Sequence, residues 1–314
     1  MHFPIAGRRV FVAGHRGMVG SACMRRLSHE GCTVLTADRR DVNLIEQQDV
    51  RKFLQDSRPD VVIVAAAKVG GILANDTYPA EFLYENLMIA SNIIEASFRA
   101  RVGKLLFLGS SCVYPGAAPQ PIVESALLSG PLEPTNQWYA VAKIAGLKLC
   151  EAYRKQYGAD FISAMPSNLY GPNDYFHPER SHVLPGLLQR FHRARLDNLS
   201  EVVCWGSGRP RREFLHVDDL ADACVFLLKN YSQDETINVG TGTDITIAEL
   251  AELIASVTGY EGKVVWDQSK PDGTMLKRMD VSRLTELGWR PQIPLEEGVA
   301  ATYQWFLQQA ALRR

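Results

Sequence analysis

The segment RRVFVAGHRGMVGSACMRRL (residues 8–27) reads as a short apolar strand, a glycine turn and a helix, with Gly14, Gly17 and Gly20 spaced as G-x-x-G-x-x-G. A strand that feeds a helix through so short a turn opens a strand–helix–strand unit, and such units build parallel sheets. Gly14 permits the tight turn, Gly17 lets backbone amides approach a pyrophosphate, and Gly20 lets the helix pack against the strand. The same spacing occurs in loops that merely turn the chain. Its place at the head of a strand–helix pattern is what favours a dinucleotide.

The rest of the chain continues that pattern. Apolar runs at VFVAG, TVLTA, DVVIVAAA, KLLFLGS and FISAMPSN predict central strands, separated by helical stretches such as YPAEFLYENLMIASNIIEASFRA. The predicted fold class is α/β: a doubly wound parallel (Rossmann) sheet with right-handed crossovers and a second, smaller mixed α/β substrate domain. The rhythm changes after Asn168, where LYGPNDYFHPERSH is rich in turn formers. We therefore expect 1–168 with 213–240 to form the dinucleotide-binding domain and 169–212 with 241–314 the substrate domain, FLHVDDLADACVFLLKN and TINVGTG returning to the sheet.

Composition narrows the partners. With 34 Lys and Arg against 35 Asp and Glu, net charge indicates no nucleic-acid partner. No run reaches the ~20 apolar residues that cross a bilayer, and MHFPIAGRRV lacks the pattern of a signal peptide, so the expected place is the cytoplasm. The six cysteines, Cys23, Cys32, Cys112, Cys150, Cys204 and Cys224, show neither disulfide nor metal-ligand spacing, and no metal is expected.

Two further features bear on chemistry. Tyr139 and Lys143 stand four apart in WYAVAKIAG, on one face of a helix, where an ammonium could hold a phenol near ionisation with Ser110 as a hydroxyl partner. At the end of the second strand Asp38 suits the ribose hydroxyls of NAD, while Arg16, Arg39 and Arg40 suit a ribose phosphate. Three arginines favour NADP(H); solvated surface charge is the plain alternative. Ala65, Ala66 and Ala67 leave room for adenosine and ribose, or simply pack closely.

GHRGMVG, AAAKVGG, LGSSCVYP, Tyr-x-x-x-Lys, SNLYGPND and REFLHVDD together resemble the extended short-chain dehydrogenase/reductases. The narrower motifs NDYFHP with SHVLP, WGSG and SKPDGT resemble, within them, the GDP-L-fucose synthases, over nearly the whole chain. That resemblance implies inversion of GDP-4-keto-6-deoxy-D-mannose at carbons 3 and 5, then reduction at carbon 4 with NADPH. It implies Cys112 as the base and His182 as the acid of the inversions, Tyr139 as proton donor in the reduction, Lys143 beside it and Ser110 on the substrate oxygen. It also implies cofactor contacts from Gly14, His15, Arg16, Gly17, Met18, Val19, Gly20, Leu108, Gly109, Lys143, Pro166, Ser167, Asn168, Leu169 and His182, together with Arg39, Arg40 and the three alanines. Substrate contacts fall to Arg190, Trp205, Arg212 and Asp272, with Lys277 a weaker candidate.

Alternatives stay open at this point. Cys112 could be inert packing, His182 a helix cap, and His177 a rival acid; Arg190, Arg212, Trp205 and Asp272 could be ordinary salt bridges or core. Trp138 is bulkier than the small or proline residue expected before Tyr139, which bears on the mouth of the pocket. Competing functions are another GDP-keto-deoxysugar epimerase/reductase such as a colitose-forming enzyme, an NAD-retaining sugar 4-epimerase, and a non-enzymatic NADPH sensor. A homodimer through sheet-flanking helices is expected.

Overall fold

The computed structural model describes residues 2–177, 181–270 and 272–312. The first half alternates as the apolar runs predict: β1 (Arg9–Ala13), α1 (Met18–Leu27), β2 (Thr33–Leu35), α2 (Gln47–Ser57), β3 (Val61–Val64), α3 (Ile72–Thr77), α4 (Pro79–Arg99), β4 (Lys104–Leu108), α5 (Gln137–Tyr157) and β5 (Phe161–Pro166). Shorter elements follow: β6 (Asn168–Tyr170), α6 (Val183–Leu196), β7 (Glu201–Trp205), β8 (Arg211–Arg212), β9 (Phe214–His216), α7 (Val217–Asn230) and β10 (Ile237–Val239). The chain closes with β11 (Ile245–Thr246), α8 (Ile247–Thr258), β12 (Lys263–Asp267), β13 (Leu276–Lys277), α9 (Ser282–Glu286) and α10 (Leu295–Leu312).

Six strands form one sheet in the order β10-β5-β4-β3-β1-β2, every pair parallel. Every residue of β3, β4 and β5 is buried, which is why these strands read as unbroken apolar runs instead of alternating ones. Alternate residues of one strand serve opposite faces. Val10, Val61, Ile63 and Leu106 pack with Cys23 and Leu27 of α1 and Leu220, Cys224 and Leu228 of α7. Phe11, Val62, Val64 and Phe107 pack with Leu54 of α2, Ile93 of α4 and Leu147 of α5.

A third core, outside that sheet, joins Tyr170, Leu188 and Phe191 to Cys204, Leu250, Ile254 and Tyr303. It is served by small sheets: β7 parallel to β12, and β8 between antiparallel β11 and parallel β13. The return of TINVGTG to the main sheet occurs through β10 beside β5. FLH differs from the expectation: β9 pairs with β6 and lies outside the six-stranded sheet. The reason is that β6 leaves β5 after a single residue, carrying the next pairing edge away from the main sheet.

Candidate active site

Strand β1 has β2 on one side and β3 on the other, so the chain reverses direction of travel across the sheet there, and the crevice at the carboxyl ends of β1 and β3 is the expected ligand position. The glycine turn lies in that crevice. Gly14 has φ +85°, and a Cβ there would sit 2.8 Å from the backbone of Ala66. Gly20 is held as tightly, since its Cβ would meet the Gly14 carbonyl oxygen at 2.1 Å. Gly17 is the N-cap of α1 without a side-chain cap, and no carboxylate occupies the first turn. The first-turn amides of Met18, Val19 and Gly20, which no side chain caps among the described residues, therefore open onto an anion's natural site.

The surroundings fit a dinucleotide with a ribose phosphate. Asp38 is not free to take ribose hydroxyls: Arg16 donates to it at 2.5 Å and His15 Nε2 lies 3.5 Å from its other oxygen. Arg39 and Arg40 are exposed at the end of this edge and make no ion pair among the described residues. The opposition between Asp38 and three arginines is thus settled locally by pairing one of them. Ala65 continues β3 by donating to the Ala13 carbonyl at 3.1 Å, and Asn86 of α4 bonds both the N–H and the carbonyl of Lys68, holding the loop after the alanines. Across the crevice, Ser167 donates its N–H to Val239 at 3.0 Å while its hydroxyl is buried without a protein partner. Asn168 donates to the Glu213 carbonyl at 2.7 Å.

The candidate catalytic groups gather at the end of β4. Gly109 donates to the Ala164 carbonyl at 2.9 Å, and Ser110 then caps a one-turn helix, Ser111–Val113, its hydroxyl accepting from the Cys112 N–H at 3.4 Å. Helix α5 crosses close above because Gly146 has no side chain: a Cβ there would fall 2.4 Å from the Phe107 ring. That approach brings Lys143 down onto the strand end, where its Nζ donates to the Leu108 carbonyl at 2.8 Å and lies 5.0 Å from the Phe107 ring centre. Tyr139, one turn earlier on α5, has its ring centre 5.7 Å from the same Nζ.

Burial governs the ionisation of this cluster. It pushes Lys143 down to about 8, opposed by a Cys112 thiolate. Burial, and then the charge of Cys112, raise Tyr139 above the usual phenol range. The expectation that Lys143 holds the phenol near ionisation is not met, since the ammonium is anchored to a backbone carbonyl and low dielectric outweighs it. The Cys112 thiol is likewise raised by burial, against which Lys277, Ser110 and Lys143 act in that order.

Lys277, the weaker of the substrate candidates, lies at the end of a two-residue strand. On β13 it pairs in register with Arg212 of β8, and burial lowers both. Arg212 is fixed by donating to the carbonyls of Arg211 and Thr274. Asp272 accepts from the Ser207 N–H at 2.8 Å and from its hydroxyl at 2.6 Å. Trp205 is 53% exposed, with Arg190 and Lys270 each 5.8 Å from its ring centre, so the indole is presented to solvent instead of being core. Arg190 also donates to the Val203 carbonyl at 2.9 Å.

His182 stands at the N-cap of α6 without capping it, and lost hydration lowers its pKa. No described contact joins it to Cys112. His177 stacks on Tyr175 at 5.9 Å, and Trp138 is 40% exposed. Pro271 of the SKPDGT motif and Pro178, Glu179 and Arg180 before SHVLP lie outside the described residues.

One residue escaped sequence reasoning. Glu213, within REFLHVDD, is 1% exposed and accepts from the N–H groups of Thr241, Gly242 and Met279 at 2.6, 2.8 and 2.8 Å. The available signal was slight, a carboxylate directly after Arg211 and Arg212 and before the apolar Phe214 and Leu215. The turn following β10 supplied the rest, because Gly240 could carry no side chain there: a Cβ would lie 2.0 Å from a Glu213 oxygen.

Comparison with known proteins agrees with this geometry. Residues 10–240 match the model of the NAD dependent epimerase/dehydratase family. The chain is 58% identical over 306 residues to GDP-L-fucose synthase 1 of Arabidopsis thaliana, covering 97% of this chain and 95% of that one. To GDP-L-fucose synthase of Escherichia coli (strain K12) it is 57% identical over 311 residues, covering 96% and 97%. A crystal structure of a GDP-L-fucose synthetase from Naegleria fowleri bound to NADP superposes with a TM-score of 0.89 at 28% identity, over 98% of this chain and 96% of that one. The chain therefore belongs to the NAD dependent epimerase/dehydratase family, within the extended short-chain dehydrogenase/reductases.

Proposed function

We propose that this chain converts GDP-4-keto-6-deoxy-D-mannose to GDP-L-fucose, inverting carbons 3 and 5 and reducing carbon 4 with NADPH. The observation that carries the reading is a thiol, Cys112, in the same buried cluster as Tyr139 and Lys143. An NAD-retaining 4-epimerase has no use for a carbon-acid base there, and an NADPH sensor has use for none of the three. Identity of 57–58% to GDP-L-fucose synthases favours the fucose product over a colitose-type one.

Protons beside a carbonyl are acidic because the electron pair left behind delocalises onto oxygen, and donors aimed at that oxygen stabilise the enolate. Ser110 and Tyr139 are those donors. Cys112 as thiolate takes the carbon's proton, and His182, with a pKa below the ordinary imidazole value, delivers one to the opposite face. Bound NADPH supplies the hydride for carbon 4. Tyr139 then gives its proton to the resulting alkoxide, and its raised pKa makes it a donor that holds the proton until strong base appears.

The cofactor is held by the glycine turn, Arg16, Arg39, Arg40, the alanine loop, Leu108, Gly109, Lys143 and the segment 166–169. Arg190, Arg212, Trp205 and Asp272 take the nucleotide sugar, arginine suiting the diphosphate and the exposed indole the base. In this reading 1–168 with 213–240 bind cofactor and 169–212 with 241–314 bind substrate. The enzyme works in the cytoplasm as a homodimer; among the described residues no helix is long and apolar enough to cross a membrane.

The test is turnover of the keto sugar nucleotide with NADPH in deuterated water. We expect label at two carbons and stoichiometric oxidised cofactor, with Cys112→Ser removing the label. Reduction without label in the wild type, or normal label in Cys112→Ser, refutes the assignment.

A further inference from the structure

Strand β7 ends at Trp205 and runs into the turn Gly206–Ser207–Gly208. Gly206 and Gly208 have φ +79° and +74°, a shape that residues with side chains rarely adopt. Both are also pressed close: a Cβ on Gly206 would fall 2.4 Å from Asp272 Oδ1, and one on Gly208 would meet the Trp266 ring at 2.8 Å. The Gly206 N–H donates to the Asp267 carbonyl at 3.0 Å. The turn is thus moulded against β12 and the segment that follows it.

Ser207 makes the join. Its N–H donates to Asp272 Oδ1 at 2.8 Å and its hydroxyl to Oδ2 at 2.6 Å, so one residue engages both carboxylate oxygens. The hydroxyl accepts in turn from the Arg209 N–H at 3.2 Å. From Asp272 the chain passes over Arg212. A Cβ on Gly273 would lie 3.0 Å from a terminal nitrogen of Arg212, the Thr274 carbonyl accepts from that guanidinium, and the Met275 carbonyl accepts from the Arg211 N–H at 2.8 Å. Lys270, two residues before Asp272, lies 5.8 Å from the Trp205 ring centre.

We propose that Ser207 is a positioning residue for the nucleotide: by gripping Asp272 it fixes segment 272–275 over Arg212 and holds that guanidinium in one arrangement with the exposed indole of Trp205. The inference rests on the function proposed above, which gives Trp205 the base and Arg212 the diphosphate. Each Asp272 oxygen keeps a second lone pair, so the grip does not bar that carboxylate from the ligand. Without the grip, residues 272–275 would have to be ordered when the ligand arrives, and that entropy is subtracted from affinity. The candidate catalytic groups stand on β4, its following turn and α5, so binding should suffer while turnover of bound substrate should not.

Calorimetric titration with GDP, which needs no turnover, tests this alongside steady-state kinetics. We expect Ser207→Ala to weaken GDP binding about fivefold or more and to raise KM for the sugar nucleotide by a similar factor, with kcat and the KM for NADPH within about twofold of wild type. Ser207→Thr, which keeps the hydroxyl, should bind GDP within about twofold of wild type. Gly206→Ala, which presses a methyl group against Asp272 Oδ1, should reproduce the loss. Adding Ser207→Ala to Asp272→Ala should cost nothing further, since the partner is already gone. GDP affinity of Ser207→Ala within about twofold of wild type, additive losses in the double variant, or a fall in kcat with KM unchanged overturns the inference and leaves the proposed function standing. Wild-type enzyme that binds no GDP refutes the proposed function, and this inference with it.

Discussion

Lys143 is a cation placed where water is scarce, and its pKa of about 8 against an ordinary 10.5 shows the cost. Between those values the unfolded chain holds the proton more firmly than the folded one. Stability therefore rises with pH through that window, and the penalty is fully present below pH 8. Lys143→Met should raise the unfolding free energy by up to about 3 kcal/mol at pH 7, the gain shrinking toward pH 10, while hydride transfer is lost. Urea denaturation at both pH values checks it; a loss at pH 7 would mean that the bond to Leu108 outweighs desolvation. Residues of this kind were legible because their chemistry sits in compact motifs. Ser110, Cys112, Tyr139 and Lys143 could be named from GSSCVYP and WYAVAKIAG, and the structure gathers them. Glu213 was hardly legible, because its partners lie 28 to 66 residues away.

Among the elements, α5 carries the candidate pair Tyr139 and Lys143 and depends on one close contact. Gly146→Ala would put a methyl group 2.4 Å from the Phe107 ring, so helix or ring must shift. Overpacking of this kind costs about 1–3 kcal/mol. Because Tyr139 and Lys143 ride on the same helix, kcat should fall about tenfold or more while KM for the sugar nucleotide changes little. Thermal unfolding together with steady-state kinetics reads both, and unchanged kcat would show that α5 tolerates the displacement. The central strands were readable from the chain because burial on both faces leaves unbroken apolar runs such as Val61–Val64. Strands β8, β11 and β13 span two residues each, too short for any periodicity, and exist only through their pairing.

At the scale of the molecule, helices α4 and α5 cover one face of the sheet and leave Tyr84 58% and Tyr157 54% exposed, large rings that a second copy could cover. Light scattering should give twice 34.9 kDa, and Tyr84→Asp should shift it toward the single-chain mass. A wild-type mass of one chain at micromolar concentration refutes the dimer. Doubly wound architecture followed from the alternation of strands and helices; the departure of β6 and β9 from the main sheet did not, because it depends on where two short strands find each other. Glu213 gives that arrangement a mechanical meaning. One carboxylate grips Thr241 and Gly242 just past β10, an edge strand of the six-stranded sheet, and Met279 just past β13. A displacement of β13 is therefore felt at the turn after β10, and one side chain couples the small β8–β13 sheet to the end of the main sheet.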